Sequence, residues 1–416
     1  MDVRPGYKMT EVGVIPEEWE VKRIDELGKV VRGASPRPAG DSRYFNGQFI
    51  PWLTVAALTN IAEYTLEVTD TVGFLTEEGS KHSRFLSAGT LIIANSGATL
   101  GVAKILGIAC CANDGIAAIV NQNSGDRRFI CHYINTKTAT LREVVATGNG
   151  QPNLNTGLIR GISLPYPPLF EQRAIASALS DVDALLDGLD RLISKKRDLK
   201  QAAMQQLLTG RTRLPGFKGE WESKRLGDIC EIAMGRTPSR LNPYFWGEGY
   251  VWLSIADLKS KVVSNSKEQI TDLAASAMTI IPKGTLLMSF KLSIGRLCFA
   301  GCDLFTNEAI CSFNSPQANA DFLYYALGRV DFSIYGKQAV KGYTLNMESL
   351  RMVEILLPSS CEQAAIAAVF SEMDAEIAAL EARRDKTRAL KQAMMQELFT
   401  GKTRLVRLED VRGIAC

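Results

Sequence analysis

Several stretches of this chain carry residue types that do chemistry in other settings, and each is undone by its neighbours. Gly401-Lys402-Thr403 ends like a phosphate-cradling loop, in which backbone N–H groups and a lysine hold a nucleotide. Gln396 stands where the leading glycine of such a loop belongs, and a second copy reads Gly210-Arg211-Thr212, so a helix C-cap accounts for both. Asn242-Pro243-Tyr244-Phe245 comes close to the Asn-Pro-Pro-Tyr/Phe motif of amino-methyltransferases. It lacks the second proline, and no glycine-rich loop suited to S-adenosylmethionine accompanies it. A turn before a strand is the better reading.

The nine cysteines form no Cys-x-x-Cys pair; the nearest groupings are Cys298, Cys302 and Cys311, and the adjacent Cys110-Cys111. With only His82 and His132 available, no zinc set or nucleophilic triad assembles, and buried, reduced thiols are expected. No pair of carboxylates is singled out by spacing. The chain is therefore expected not to be an enzyme and to bind no metal.

The elements that would position any site are fixed by duplication. Residues 170–214 recur without a gap as residues 361–405, with about half of the aligned positions identical. Glu171-Gln172, Leu199-Lys200-Gln201-Ala202 and Thr209-Gly210-Arg211-Thr212-Arg213-Leu214 in the first copy correspond to Glu362-Gln363, Leu390-Lys391-Gln392-Ala393 and Thr400-Gly401-Lys402-Thr403-Arg404-Leu405 in the second. Apolar residues at three- and four-residue steps predict a long amphipathic helix in each. The first stripe is Ile175, Ala178, Val182, Leu185, Leu189, Leu192 and Leu199, with Leu179, Leu186 and Ile193 at its margin; the second is Ile366, Val369, Met373, Leu380, Leu390 and Met394, with Phe370 and Ile377. Pro167-Pro168 and Pro358 lie upstream, Ser360 and Gln363 have capping-box spacing, and Gly210 and Gly401 follow the last apolar residues. Helices of about 35 residues would be about 50 Å long. Each stripe needs a long partner, and antiparallel pairing of the two is the simplest way to bury both. Glu376, Arg383, Arg384 and Thr387, against Lys196, interrupt the stripes with polar groups that either set register or face solvent.

Upstream of each helix the chain repeats more faintly. Glu18-Trp19-Glu20 matches Glu220-Trp221-Glu222, Gly33-Ala34-Ser35-Pro36 matches Gly235-Arg236-Thr237-Pro238, and Tyr44-Phe45 before Trp52-Leu53 matches Tyr244-Phe245 before Trp252-Leu253. Asn113-Asp114 answers Asn307-Glu308, and Asn155 answers Asn346. Short apolar runs at residues 50–55, 91–94, 117–120 and 159–164, with counterparts at 251–255, 286–288, 310–313 and 352–357, read as strands, and one helix per half is expected near 129–134 and 322–327. The predicted fold class is α+β: two similar domains with mixed β-sheets, separated by two long helices in an antiparallel coiled coil, with an internal pseudo-two-fold repeat.

Composition agrees with a globular protein, at 46% hydrophobic and 22% charged residues. No run reaches the roughly 18 apolar residues of a membrane span, and the first residues lack an apolar signal core, so a cytoplasmic protein without a membrane partner is expected. Net charge is only +3, spread evenly along the chain, which is low for a nucleic-acid binder acting alone.

Taken together, these motifs resemble the specificity subunits of type I restriction-modification systems. The resemblance covers nearly the whole chain and rests most firmly on Leu164-Pro165-Tyr166-Pro167-Pro168-Leu169-Phe170-Glu171-Gln172-Arg173-Ala174-Ile175-Ala176 and on the helix endings at residues 204–214 and 395–405. The Gly-x-Ser/Thr-Pro and Trp-Leu motifs add to it. The second helix begins Leu357-Pro358-Ser359-Ser360-Cys361-Glu362-Gln363, without the full proline run. The resemblance implies target recognition domain 1 at 1–168, a central spacer helix at 169–212, target recognition domain 2 at 213–359, a C-terminal spacer helix at 360–405 and a tail at 406–416. It further implies that each domain reads half of a bipartite, asymmetric site in double-stranded DNA. The helix pair would set the spacing and dock two methyltransferase subunits, with restriction/translocase subunits joining when present. S-adenosylmethionine, ATP and Mg would belong to those partners, and this chain would bind no cofactor. Other readings of the same features are a two-fold protein interaction scaffold and an orphan specificity subunit serving methylation only.

Base readout uses Arg or Lys for guanine, Asn or Gln for adenine, and Ser or Thr for either. On the loops of the first domain this selects Arg32, Ser35, Arg37, Arg43, Asn95, Ser96, Asn149 and Gln151; on those of the second, Arg236, Thr237, Ser239, Arg240, Lys291, Ser293, Lys341 and Tyr343. Tyr44, Trp52, Tyr244, Trp246 and Trp252 offer stacking surfaces, although strand alternation assigns Trp52 and Trp252 to the core. Asn155 and Asn346 serve either a turn or a contact.

Overall fold

The computed structural model describes residues 4–146, 153–291, 293–339 and 342–406. Packing divides the chain into two units, Met1–Leu192 with Leu380–Cys416, and Ile193–Ala379. The sequence boundaries follow the duplication; these units follow contacts and cut both long helices near their middles.

In the first unit, nine strands build two sheets: β1 (Lys29–Arg32), β2 (Phe45–Leu53), β3 (Glu67–Val68), β4 (Gly73–Leu75), β5 (Arg84–Leu86), β6 (Leu91–Ala94), β7 (Ala103–Leu106), β8 (Cys110–Ala112) and β9 (Ile116–Val120). The central sheet runs β1-β9-β6-β7-β3 and the outer one β4-β2-β8-β5, each containing one parallel pair, β7 with β3 and β8 with β2. Strands β6 and β7 are buried along their whole length because both faces of the central sheet are covered. Leu91, Ile93, Ile105 and Ile119 face a core that includes Phe129, Leu164, Ile175 and Leu179, while Ile92, Leu106 and Ala118 pack with Leu53 and Leu86 of the outer sheet. Helix α1 (Arg127–Thr136) starts on Asp126, whose carboxylate accepts from the Arg128 and Phe129 amides.

The second unit repeats this order. Strands β10 (Glu231–Met234), β11 (Trp246–Leu253), β12 (Val262–Val263), β13 (Glu268–Ile270), β14 (Leu286–Ser289), β15 (Leu297–Ala300), β16 (Phe305–Thr306) and β17 (Ile310–Asn314) form sheets β10-β17-β14-β15-β12 and β13-β11-β16. The counterpart of β5 is reduced to a single bridge between Ile281 and Leu304. Asn319 caps the helix at Ala320–Leu327 by accepting from the Phe322 amide.

The segments before the long helices differ from the sequence expectation. Residues 159–164 and 352–357 were expected as strands, but each begins in or beside a short helix, at Thr156–Arg160 and Met347–Arg351, before the strands Ser163–Tyr166 and Glu354–Leu357. The reason is the asparagines: Asn155 accepts from the Leu158 amide at 2.9 Å and Asn346 from the Ser349 amide at 2.7 Å. Both are N-caps, which a strand assignment overlooks.

The two long helices, Leu169–Leu207 and Ser360–Leu398, contain 39 residues each. In the first unit Lys391 lies 2.5 Å from Asp183 and Arg384 3.4 Å from Asp190; in the second, Lys196 lies 2.6 Å from Glu376 and Lys200 bridges Asp374. Rising numbers on one helix meet falling numbers on the other in both units, so the pairing is antiparallel. Of the polar interruptions noted in the sequence, Lys196, Glu376 and Arg384 are thus seam residues and Thr387 is buried, whereas Arg383 is exposed. Leu185, Leu192 and Leu199 lie on the flank and are exposed, whereas Leu179, Leu186 and Ile193 are buried. Ile175 and Leu189 of the predicted stripe are buried as well, so the buried row is narrow and runs through both the stripe and its margin.

The Ser360–Gln363 capping box is also corrected. Ser359 accepts from the Glu362 amide, and the Gln363 amide group instead donates to Pro358 O at 2.8 Å and accepts from the Asn319 amide at 2.9 Å. Gln172 does the same with Pro167 O and the Asp126 amide, both at 2.8 Å. In each unit a buried glutamine therefore ties the start of a long helix to the cap of a domain helix. The neighbouring glutamates are buried too. Arg404 holds Glu171, with Nε to Oε2 at 2.7 Å, and Arg213 holds Glu362 through two bonds of 2.6 Å. The repeated Glu-Gln and Thr-Gly-x-Thr-Arg motifs are two halves of one clamp, used once per unit. Gly210 and Gly401, at φ of 67° and 64°, make the left-handed turn that brings each arginine back.

Candidate nucleic-acid interface

The Gly-x-Ser/Thr-Pro loop of each unit closes on the loop carrying Asn-Asp or Asn-Glu. Gly33 N donates to Ile116 O at 2.8 Å and Gly235 N to Ile310 O at 3.1 Å. A Cβ on Gly33 would sit 1.9 Å from Asn113 O, and one on Gly235 2.3 Å from Thr306 O, so only glycine permits the approach. Ser35 Oγ donates to Asp114 Oδ1 at 2.7 Å, and Thr237 donates to Glu308 Oε2. The two units share one hydrogen-bonded frame.

Around this frame the cations differ. In the first unit Arg32 Nε donates to Asp114 O at 2.6 Å, Arg37 lies 3.6 Å from the Asp114 carboxylate, and Asn95 Nδ2 donates to Asp114 O at 3.1 Å. Arg32, Ser35, Arg37 and Asn95 thus converge on one acidic residue. The Ser35 hydrogen bond, followed by the Arg32 and Arg37 charges, holds the Asp114 carboxyl below the usual carboxylate range. Asn95 is buried and braces the loop, while Ser96 is half-buried against Gly115. Arg43 stands apart, paired with Asp41 at 2.6 Å; its hydrogen bonds push the Asp41 carboxyl down to about 2.

In the second unit Arg236 is exposed, and its carbonyl accepts from Trp252 Nε1 at 3.1 Å. The Ser239 carbonyl accepts from Trp246 Nε1 at 3.1 Å. Arg240 lies 3.8 Å from the Trp246 ring centroid and pairs with Glu268 at 2.9 Å. Lys291 contributes to lowering the Glu308 carboxyl, chiefly held down by the Thr237 hydroxyl, and the Ser293 carbonyl accepts from Ser289. Tyr343 lies on the strand Gly342–Thr344, opposite Gln338. Asn149, Gln151 and Lys341 fall outside the described residues.

Sequence reasoning passed over the acidic members Asp114, Glu308 and Glu268, although Asn113-Asp114 and Asn307-Glu308 were already matched between halves. It also passed over Arg142, which donates to Ala98 O at 2.8 Å and Leu100 O at 3.1 Å and fixes the loop containing Ser96. Of the stacking candidates, Trp252 is buried and Tyr244 exposed, and Tyr44 packs on His82 with ring centroids 5.1 Å apart. Among the described residues no helix is long and apolar enough to cross a membrane, and no group of His, Cys, Asp and Glu is placed to hold a metal ion.

One chain, two copies of one α+β frame, a different set of cations on each and a shared helix pair define a duplicated recognition protein. The family model for the type I restriction modification DNA specificity domain matches residues 16–195 and again 218–387. The chain belongs to that family and has the two-domain form of a specificity subunit. It is 27% identical to the type I restriction enzyme MjaIX specificity subunit of Methanocaldococcus jannaschii over 64% of this chain and 64% of that one, and 22% identical to the MjaVIII specificity subunit of the same organism over 95% of each. Its fold is similar to that of the S subunit from M. genitalium, at a TM-score of 0.59 and 14% identity over 96% of this chain and 98% of that one. A chain from a structure of the type I R-M system gives the same TM-score at 18% identity, over 94% and 99%.

Proposed function

We propose that this chain is the non-catalytic reader of a methyltransferase complex, each domain recognising one half of an asymmetric, bipartite duplex sequence. The observation that carries this reading is the pair of loop clusters: Gly33, Ser35 and Asp114 make the same frame as Gly235, Thr237 and Glu308, while the side chains around them differ. A constant frame with variable cations suits two different half-sites. Arg32 and Arg37, or Arg236 and Lys291, are the groups in place to meet guanine edges or phosphates, with Asp114 beside the first pair and Glu308 beside Lys291.

The paired helices act as the spacer whose length sets the gap between half-sites on DNA that turns once in about 34 Å. Two methyltransferase subunits dock on the repeat. Leu199, Gln201, Ala202 and Gln205 are exposed, as are the identical Leu390, Gln392, Ala393 and Gln396. Identity on an exposed surface is what two copies of one partner site require. Those partners carry S-adenosylmethionine, extrude the target adenine and supply the phosphate contacts that a net charge of +3 lacks.

The test is reconstitution with the partner methyltransferase. Methylated adenines are expected only when this chain is present, at a bipartite sequence. Exchange of domain 2 for that of another specificity subunit should alter one half-site and leave the other unchanged. Equal methylation without this chain would refute the proposal.

A further inference from the structure

The loop Arg236–Phe245 of the second unit is unusually well held for an exposed segment. Trp252 and Trp246 pin its carbonyls at Arg236 and Ser239, and the Arg240 guanidinium is held between the Trp246 ring and Glu268. Asn242 accepts from the Tyr244 amide at 3.1 Å, and Thr271 donates to Tyr244 O at 2.8 Å. At the tip of this fixed loop Leu241 is 95% exposed and Tyr244 77% exposed. A mobile loop can fold its leucine back onto the surface; this one holds it out.

Arg240 is thus an anchor whose charge is already met by Glu268, and the side chain in position to act is the leucine beside it. The repeat sharpens the contrast: counting back from Tyr44-Phe45, the place of Leu241 belongs to Asp41, which is engaged by Arg43. The apolar tip exists in one domain only.

Resting on the reading of the chain as a DNA-specificity subunit, we infer that Leu241, supported by Tyr244, is a wedge that enters a base-pair step of the duplex half-site read by the second domain and partly unstacks it. Apolar side chains inserted between bases kink DNA, most easily at pyrimidine–purine steps, so the wedge selects sequence through deformability without a hydrogen bond. Preorganisation of the loop removes the entropy cost of holding the wedge. Exposed Arg236, on the same loop, attracts the flanking phosphates.

The experiment uses the reconstituted complex with its methyltransferase partners and duplexes carrying 2-aminopurine at successive positions of the target. The wedge raises fluorescence at one step of a single half-site, distinct from the methylated adenine. Leu241→Ala abolishes that signal, leaves the one at the methylated adenine, and lowers methylation about tenfold; Leu241→Phe restores the step signal. Since Leu241 is exposed, thermal melting should be unchanged. A Leu241→Ala complex with wild-type fluorescence and methylation overturns the wedge and leaves the specificity reading standing. Weakened subunit assembly without DNA also overturns it, in favour of a protein contact. Site-specific methylation without this chain defeats the underlying reading instead.

Discussion

Asp183 and Asp374 occupy the same place in the two repeats, each on a long helix and each bridged to a repeat-equivalent lysine, Lys391 or Lys200. Their third partners differ. In the first unit the buried His132 lies 3.8 Å from Asp183; in the second, Tyr325 donates to Asp374 at 2.7 Å, and Lys261 donates to Tyr325 at 3.0 Å and to Ser371 at 3.3 Å. Burial pushes His132 down to about 3, aided by the charges of Lys391 and Arg128, so it is neutral at ordinary pH. Burial also raises the Asp183 carboxyl, against the pull of Lys391. The crosslink between helices persists through duplication because it fixes register, while the domain-facing partner has diverged. One unit excludes solvent around its carboxylate; the other surrounds its carboxylate with hydrogen bonds.

The clamps at the helix starts should show the largest effects. Arg404→Ala strands the buried Glu171 at a cost of about 3–5 kcal/mol, and Arg213→Ala destabilises the second unit in the same sense by stranding the buried Glu362. Chemical denaturation with hydrogen exchange checks this, with protection lost first in the unit that carries the change. The seam lysines should differ. Lys391→Ala leaves Asp183 buried and unpaired and costs about 3 kcal/mol, whereas Lys200→Ala leaves Asp374 its Tyr325 hydrogen bond and costs about 1 kcal/mol. Equal losses in the two units would remove the distinction.

The histidine adds a pH dependence to the first unit. Its folded value, about 3, lies below its ordinary 6.5, so between these limits the unfolded chain takes up a proton that the folded chain refuses. The histidine's contribution is full above about 6.5 and is lost as pH falls toward 3, on the order of 5 kcal/mol. The raised Asp183 carboxyl, which takes up its proton more readily in the folded state, opposes the decline. His132→Tyr, which borrows the solution of the second unit, should flatten acid unfolding monitored in the first unit. A smaller effect is expected at the loops. Ser35→Ala and Thr237→Val each remove one hydrogen bond to a partly exposed carboxylate, costing about 1 kcal/mol of local order. Relaxed methylation specificity in the corresponding half-site alone, read by sequencing, is the expected outcome.

Much of this architecture was legible because duplication exposes it. Residues matched between halves, such as Ser35 with Thr237 and Asp114 with Glu308, proved to be bonded neighbours in each unit. Long helices were legible from their spacing. Which row of the helix becomes the seam was not, since Leu185 and Leu186 look alike in sequence and only the partner decides between them. Gln363 looked like a local cap because spacing suggests local bonds, whereas its partner Asn319 lies far away along the chain. Lys104 gives no sequence hint of burial, yet its ammonium donates to the carbonyls of Ala62, Glu63 and Thr65, and burial lowers it to about 8. At the candidate site, arginines were identifiable by type. Arg43 meets Asp41 within one loop, whereas the approach of Arg32 and Arg37 to Asp114, and of Arg240 to Glu268, depends on loop closure, which no single loop encodes.

The proposed role of the helix pair is that of a spacer between two independent readers. Insertion of one heptad after Leu192 and another after Ala379 lengthens both helices where the two units divide, keeps the seam period and leaves the contacts within each unit intact. Seven residues add about 10 Å, or about three base pairs. Mapping methylated adenines with the reconstituted complex should show both half-sites unchanged and the gap between them longer by about three base pairs. An unchanged gap, or altered bases within the half-sites, would contradict it.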